Sequence, residues 1–134
     1  MRLMHGDYEF SVQSVVMQPT SFCNIDCTYC YLPFRHANQV MSTTSAENVA
    51  SGLAKIVERS VNVIWHGGEP LSCGIQRFLH LIQPFEALRQ RKLVTHVIQT
   101  NAILIDEKWC DLFREYGFEV GVSIDGPEWA NKHR

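Results

Sequence analysis

Four short apolar runs alternate with three amphipathic stretches along nearly the whole chain, and this alternation restricts it to a small set of folds. The first run, residues 10–18, reads F-S-V-Q-S-V-V-M-Q and stops at Pro19. Its β-branched side chains suit a pleated strand, and a proline cannot donate to a strand ladder. Val61–Trp65 follows as a short continuous apolar run of the kind expected for a buried strand, and residues 93–99 and 118–124 supply two more. Thr44 and Glu47 form a capping box ahead of Val49, Ala50, Leu53, Ile56 and Val57, whose spacing predicts a helix over about 45–59. Ile75, Phe78, Leu79, Ile82, Phe85 and Leu88 predict a second helix, kinked or divided at Pro84. Asp106 opens a third through Trp109, Leu112, Phe113 and Tyr116, and Gly117 stops it. Strands separated by helices in this order are βαβ units, so the fold class is α/β with a parallel sheet and right-handed crossovers.

The loop after the first strand, residues 20–32, carries Cys23, Cys27 and Cys30. In α/β proteins, loops at the C-terminal ends of strands are where sites are usually built. Thiolates suit iron–sulfur clusters and zinc, and C-x3-C-x2-C supplies three corners of a cubane with no fourth cysteine nearby. One iron would then be open to a chelating small molecule. From the cysteines alone three readings stand: an iron–sulfur centre, which includes a small electron-transfer protein; a zinc-binding structural or interaction module completed by His36 or His66; and buried cysteines without a ligand. Cys73 lies in loop-like context, and Cys110, after Trp109, reads as a small core residue. His5, His36, His80 and His96 have no partner at ligand spacing and read as surface or interface histidines.

The other strand ends are also polar. W-H-G-G-E-P-L follows the second strand; paired glycines admit a close approach to the backbone, and a carboxylate there can bind an ammonium group, although Gly-Gly-x-Pro is also turn chemistry. The third strand ends in Q-T-N-A and the fourth in S-I-D-G-P, each equally readable as a turn. With 12 Lys and Arg against 14 Asp and Glu there is no basic excess to suggest nucleic acid, and no apolar run approaches a membrane span of about 20 residues. The first residues lack the apolar stretch of a secretory signal, and an odd number of clustered cysteines suits a reducing cytoplasm.

C-x3-C-x-aromatic-C, with Tyr29 as the aromatic, resembles the signature of the radical S-adenosylmethionine (radical SAM) enzymes. With W-H-G-G-E-P-L, Q-T-N and S-I-D-G-P it looks most like the SPASM-type peptide and protein maturases, which include the anaerobic sulfatase-maturing enzymes. The resemblance implies a [4Fe-4S] cluster held by Cys23, Cys27 and Cys30, with S-adenosylmethionine chelating the fourth iron. It implies reductive cleavage of that cofactor to a 5'-deoxyadenosyl radical, for oxidative modification or crosslinking of a peptide or protein side chain. Tyr29 would lie near adenine, with Tyr31 and Leu32 packing around the cluster; Gly67, Gly68, Glu69 and Pro70 would meet the cofactor's amino group, Asn101 would shape the pocket, and Ser123 and Arg134 would approach its carboxylate. Two departures stand out: Ala102 replaces the glycine of T-N-G, and Ala130 and Asn131 occupy the stretch where a histidine is usual. The implied architecture is the N-terminal part of a (β/α)6 partial TIM barrel, with residues 1–134 at most its first two-thirds and inactive in isolation. Implied partners are a peptide or protein substrate and a reductant such as flavodoxin or ferredoxin, with no nucleic acid or membrane.

Overall fold

The computed structural model describes residues 11–134 and, among the first ten, the backbone of Met4–His5 and Tyr8–Glu9. These two short strands, β1 and β2, pair antiparallel as a separate sheet that the sequence pattern does not announce. The expectations for Phe10 and for the His5 side chain lie outside the described residues. The main sheet comprises β3 (Ser14–Met17), β4 (Val61–Trp65), β5 (Val94–Thr100) and β6 (Glu119–Val122), in that spatial order and parallel throughout. Helix α1 (Thr43–Ile56) joins β3 to β4, and α4 (Glu107–Tyr116) joins β5 to β6. Between β4 and β5, Pro84 divides the expected helix into α2 (Ile75–Ile82), a 3-10 turn over Gln83–Phe85, and α3 (Glu86–Gln90).

Several boundaries move. Helix α1 is capped by Ser42, which is extended (φ −76°, ψ 149°) and accepts the Ser45 N–H at 3.1 Å. Thr44 therefore lies inside the first turn, and the Thr44/Glu47 box does not form. At the other end Val57 is already extended, so the helix stops short of residue 59. Helix α4 follows its signals closely: Asp106 accepts the Trp109 N–H at 3.0 Å, and Gly117 closes the helix in the left-handed region at φ 65°.

The helices cover one face of the sheet. Val61, Val63 and Trp65 of β4 are buried while Asn62 is exposed and Ile64 half-buried, so this strand is buried on one side only, not on both. In β5 the covered side is Val94, His96, Ile98 and Thr100. Trp65 meets Phe78 and Phe85 edge-on at 5.2 and 5.9 Å, and Phe78 meets Trp109 at 5.4 Å. His96 belongs to this core and is not a surface histidine: it is 1% exposed, and its Nδ1 accepts the Trp65 indole N–H at 3.1 Å. Cys110 is instead exposed, one residue off the buried stripe of Trp109, Leu112 and Phe113. On the opposite face Val16, Ile64 and Val97 form one cross-strand row, and Val16 remains exposed. Val120 and Val122 pair with Ile98 and Thr100 but are exposed, which leaves apolar surface at the β6 edge. No helix among the described residues is long and apolar enough to cross a membrane.

Candidate functional site

The C-terminal ends of all four parallel strands lie at one edge of the sheet, and the polar segments gather there. The loop leaving β3 is doubled back on itself: Ser21 N–H donates to Gln39 O at 2.9 Å, Cys23 N–H to Arg35 O at 3.0 Å, and Met41 N–H to Pro19 O at 2.9 Å. Arg35 also donates to Asp26 from Nε at 2.7 Å, so the cysteine-bearing leg is fastened to its return leg by backbone and side chain. The segment after β4 holds it from the other side. Glu69 N–H donates to Phe22 O at 2.8 Å, and Gly68, at φ 61°, lies so close that a Cβ there would sit 2.6 Å from the carbonyl oxygens of Thr20 and Phe22. The glycine thus admits the cysteine leg itself. Gly67 is at φ 90°, and Pro70 is buried as the first residue of the 3-10 turn Pro70–Cys73.

Glu69 is only 1% exposed. Oε1 accepts from Thr100 Oγ1 at 2.7 Å and from Leu71 N at 3.1 Å, and Oε2 accepts from Asn101 N at 2.8 Å. A buried carboxylate is tolerated when donors replace the water it has lost. Asn101 then connects this carboxylate to the cysteine loop, because its Nδ2 donates to Asn24 Oδ1 at 2.8 Å and lies 3.9 Å from Cys23 Sγ. Its Oδ1 accepts Ile103 N–H at 3.1 Å. Ala102 keeps the left-handed turn at φ 66°, so the missing glycine leaves the turn in place with a strained residue in it.

Ser123 sits at the end of β6, where its N–H donates to Thr100 O at 2.8 Å and its Oγ accepts Gln99 Nε2 at 2.8 Å. Gly121 makes this possible, since a Cβ there would overlap Gln99 Oε1. The 3-10 turn Glu128–His133 returns to the cysteine loop, with Thr28 N–H donating to His133 O at 2.9 Å. Arg134 Nη1 lies 3.8 Å from Asp125 Oδ1, and the Tyr29 hydroxyl donates to Asp125 Oδ2. That bond to Asp125 is the main reason the Tyr29 phenol is pushed up to about 12. Tyr29 keeps its ring exposed, Tyr31 is 85% exposed without packing over the loop, and Leu32 is half-buried.

Cys23, Cys27 and Cys30 are free thiols, each half-buried. Burial raises the Cys23 pKa most; a backbone hydrogen bond from Ile25 opposes it, and Glu69, Cys27 and Cys30 add to the rise. Among the described residues no three Cys, His, Asp or Glu side chains form a ready metal-binding group, so the thiols share a loop and an electrostatic neighbourhood without a preformed cage. Cys27 and Cys30 lie near enough to oppose ionisation of the Cys23 thiol, and three thiols of one loop are a donor set that a cationic iron centre would stabilise as thiolates, so in that sense they fit a cluster.

Residues 17–133 match the sequence model of the radical SAM superfamily. The chain belongs to that superfamily. Its members work with a [4Fe-4S] cluster and S-adenosylmethionine. The radical SAM chain is 38% identical over 128 residues to an uncharacterized protein of Synechocystis, covering 90% of this chain and 32% of that one. It is 32% identical over 124 residues to the serine-type anaerobic sulfatase-maturating enzyme of Klebsiella aerogenes, covering 85% and 30%. Among solved structures it is similar to native anSMEcpe with bound AdoMet and Cp18Cys peptide, with a TM-score of 0.75, 31% identity, and coverage of 90% and 33%. The parallel four-stranded sheet matches the partial TIM barrel of these neighbours, and the expected SPASM-type, sulfatase-maturase likeness holds. The chain spans about a third of the length of the curated relatives it matches.

The strand-end cluster of this radical SAM chain also contains residues to which the sequence reading gave no role. Thr100, Asn24, Gln99 and Asp125 each bond a residue singled out from the motifs. All four lie inside segments singled out from the sequence, Thr100 and Gln99 in Q-T-N, Asp125 in S-I-D-G-P and Asn24 in the cysteine loop, but the partners of Asn24 and Asp125 are 77 and 96 residues away and are visible only in the structure.

Proposed function

We propose that residues 1–134 form the N-terminal part of the core of a radical SAM enzyme that oxidatively modifies or crosslinks a side chain of a peptide or protein. The observation that carries this reading is the junction at Glu69, where a buried carboxylate held by three donors shares Asn101 with the cysteine loop. In this reading Cys23, Cys27 and Cys30 hold the cluster, and Glu69 accepts the cofactor's ammonium group. Gly67, Gly68 and Pro70 present the Glu69 segment, Asn101 orders the wall between cofactor and cluster, and Tyr29 borders the adenine. Ser123 and Arg134 receive the carboxylate, with Arg134 leaving Asp125 for the better-matched partner. Together, cluster and cofactor supply hydrogen abstraction by a 5'-deoxyadenosyl radical. The chain's own residues orient that cofactor and keep water from its ammonium end.

The peptide substrate is supported by the sulfatase-maturating relatives and by the peptide held in the anSMEcpe structure. A reductant of the flavodoxin or ferredoxin kind and a cytoplasmic setting complete the proposal. The test is anaerobic reconstitution of the parent-length protein with iron and sulfide. Cys27→Ala should abolish the brown chromophore while Cys73→Ala and Cys110→Ala retain it, and S-adenosylmethionine should perturb the cluster's paramagnetic spectrum. A cluster indifferent to S-adenosylmethionine would indicate an electron carrier, and a colourless tetrahedral site would indicate zinc; either result overturns the proposal.

A further inference from the structure

We propose that Thr100 is a positioning residue that fixes the Glu69 carboxylate so that Oε2 alone remains open to a ligand, as a one-point acceptor for a primary ammonium group. The inference deepens the reading of Glu69 given above and rests on it. Thr100 is the last residue of β5 and is 1% exposed. Its Oγ1 accepts the Ala102 N–H at 3.0 Å, which leaves the hydroxyl proton for Glu69 Oε1 at 2.7 Å. The Leu71 N–H, at 3.1 Å, is the second donor to that oxygen. A carboxylate oxygen offers two lone-pair directions in its plane, so Oε1 is fully used. Among the described residues Oε2 accepts only the Asn101 N–H, at 2.8 Å, which leaves its second direction without a donor.

The donor to Oε2 is itself tied to the cysteine loop, because the Asn101 side chain reaches Asn24 and approaches Cys23. The consequence is selectivity of charge type. A guanidinium binds a carboxylate best through two parallel bonds to both oxygens, and Thr100 and Leu71 have taken one of them. An ammonium group needs a single strong acceptor and can place its remaining protons elsewhere. Without the Thr100 hydroxyl, Oε1 keeps only the Leu71 N–H at 3.1 Å, so the carboxylate is held less tightly and the open lone pair is less well directed.

The experiment is a titration of S-adenosylmethionine into the reconstituted parent-length protein, followed by the cluster's paramagnetic signal, with iron content and thermal midpoint measured on every sample. Thr100→Val keeps shape and removes the hydroxyl, and should weaken binding about tenfold with iron content unchanged. Thr100→Ser restores the donor and should bind within about twofold of the unaltered protein. Thr100→Ala replaces the valine variant if that one does not fold. A merely structural role would shift the thermal midpoint while leaving affinity alone, and that result rejects the proposal, as does serine weakening binding as much as valine. Glu69→Gln is titrated alongside. If it weakens binding and Thr100→Val does not, only the positioning role fails; if Glu69→Gln binds normally, the assignment of Glu69 as the ammonium site fails with it.

Discussion

The helix-covered face of the sheet and its C-terminal edge each bury an ionisable group, and they handle it in opposite ways. His96 and Thr100 lie on the same side of the same strand, four residues apart. Around His96 the neighbours are rings: Trp65, Phe85 and a stacked Phe118 at 4.9 Å. Among the described residues its Nδ1 has one partner and its buried Nε2 has none, so the neutral form is held and the pKa falls to about 4, through burial first and the Arg89 charge second. At the edge, Glu69 is as deeply buried but has three donors aimed at it. Depth alone therefore does not decide what a buried group can do. A group without a full set of partners is a packing element that tolerates no charge, and one supplied with donors can face an ionic ligand.

The contrast is open to direct attack. The largest effect is expected from Phe78→Ala, which removes a ring that touches Trp65, Trp109 and Phe118. It should cost about 3–5 kcal/mol in urea unfolding of the parent-length protein; a loss below about 1 kcal/mol would mean this face is not the tightly packed half of the pair. Next comes His96. Between its ordinary pKa of 6.5 and the folded value of about 4, the unfolded chain takes up a proton that the folded chain refuses. Stability from this residue is therefore complete above pH 6.5 and is lost as pH falls toward 4, by about 3 kcal/mol in all. Protonated Nδ1 would also confront the Trp65 N–H with a second donor. Subtracting the unfolding profile of His96→Phe should isolate this slope, and parallel profiles would refute it. The smallest effect belongs to the edge: Ala102→Gly relieves a left-handed alanine at φ 66° and should stabilise by about 1 kcal/mol. A decrease instead would show that the turn is unstrained and that the alanine is an adapted residue.

Much of this was open to inspection in the sequence, and the misreadings have local causes. Strand alternation places His96 with Val94 and Ile98 on the covered side, whereas the polarity of an imidazole taken alone points to the surface. Helical spacing likewise sets Cys110 about 100° from the Trp109 stripe and so outside the core. The α1 cap went to Ser42 in place of Thr44 because several hydroxyl residues stand in a row, and only the backbone geometry selects among them.

The sequence by itself determined the βαβ order, the strand-end placement of the cysteine, glycine–glutamate and asparagine segments, and the family, because hydrophobic period and short motifs are properties of neighbouring residues. Only the tertiary structure decided which groups meet. It turned Gly68 into the seat of the cysteine leg, gave the Glu69 carboxylate its Thr100 and Asn101 donors, and joined Tyr29 to Asp125. These contacts join residues 31 to 96 positions apart, or backbone atoms that any residue could supply, so their direction depends on how parallel strands stack and where each loop returns.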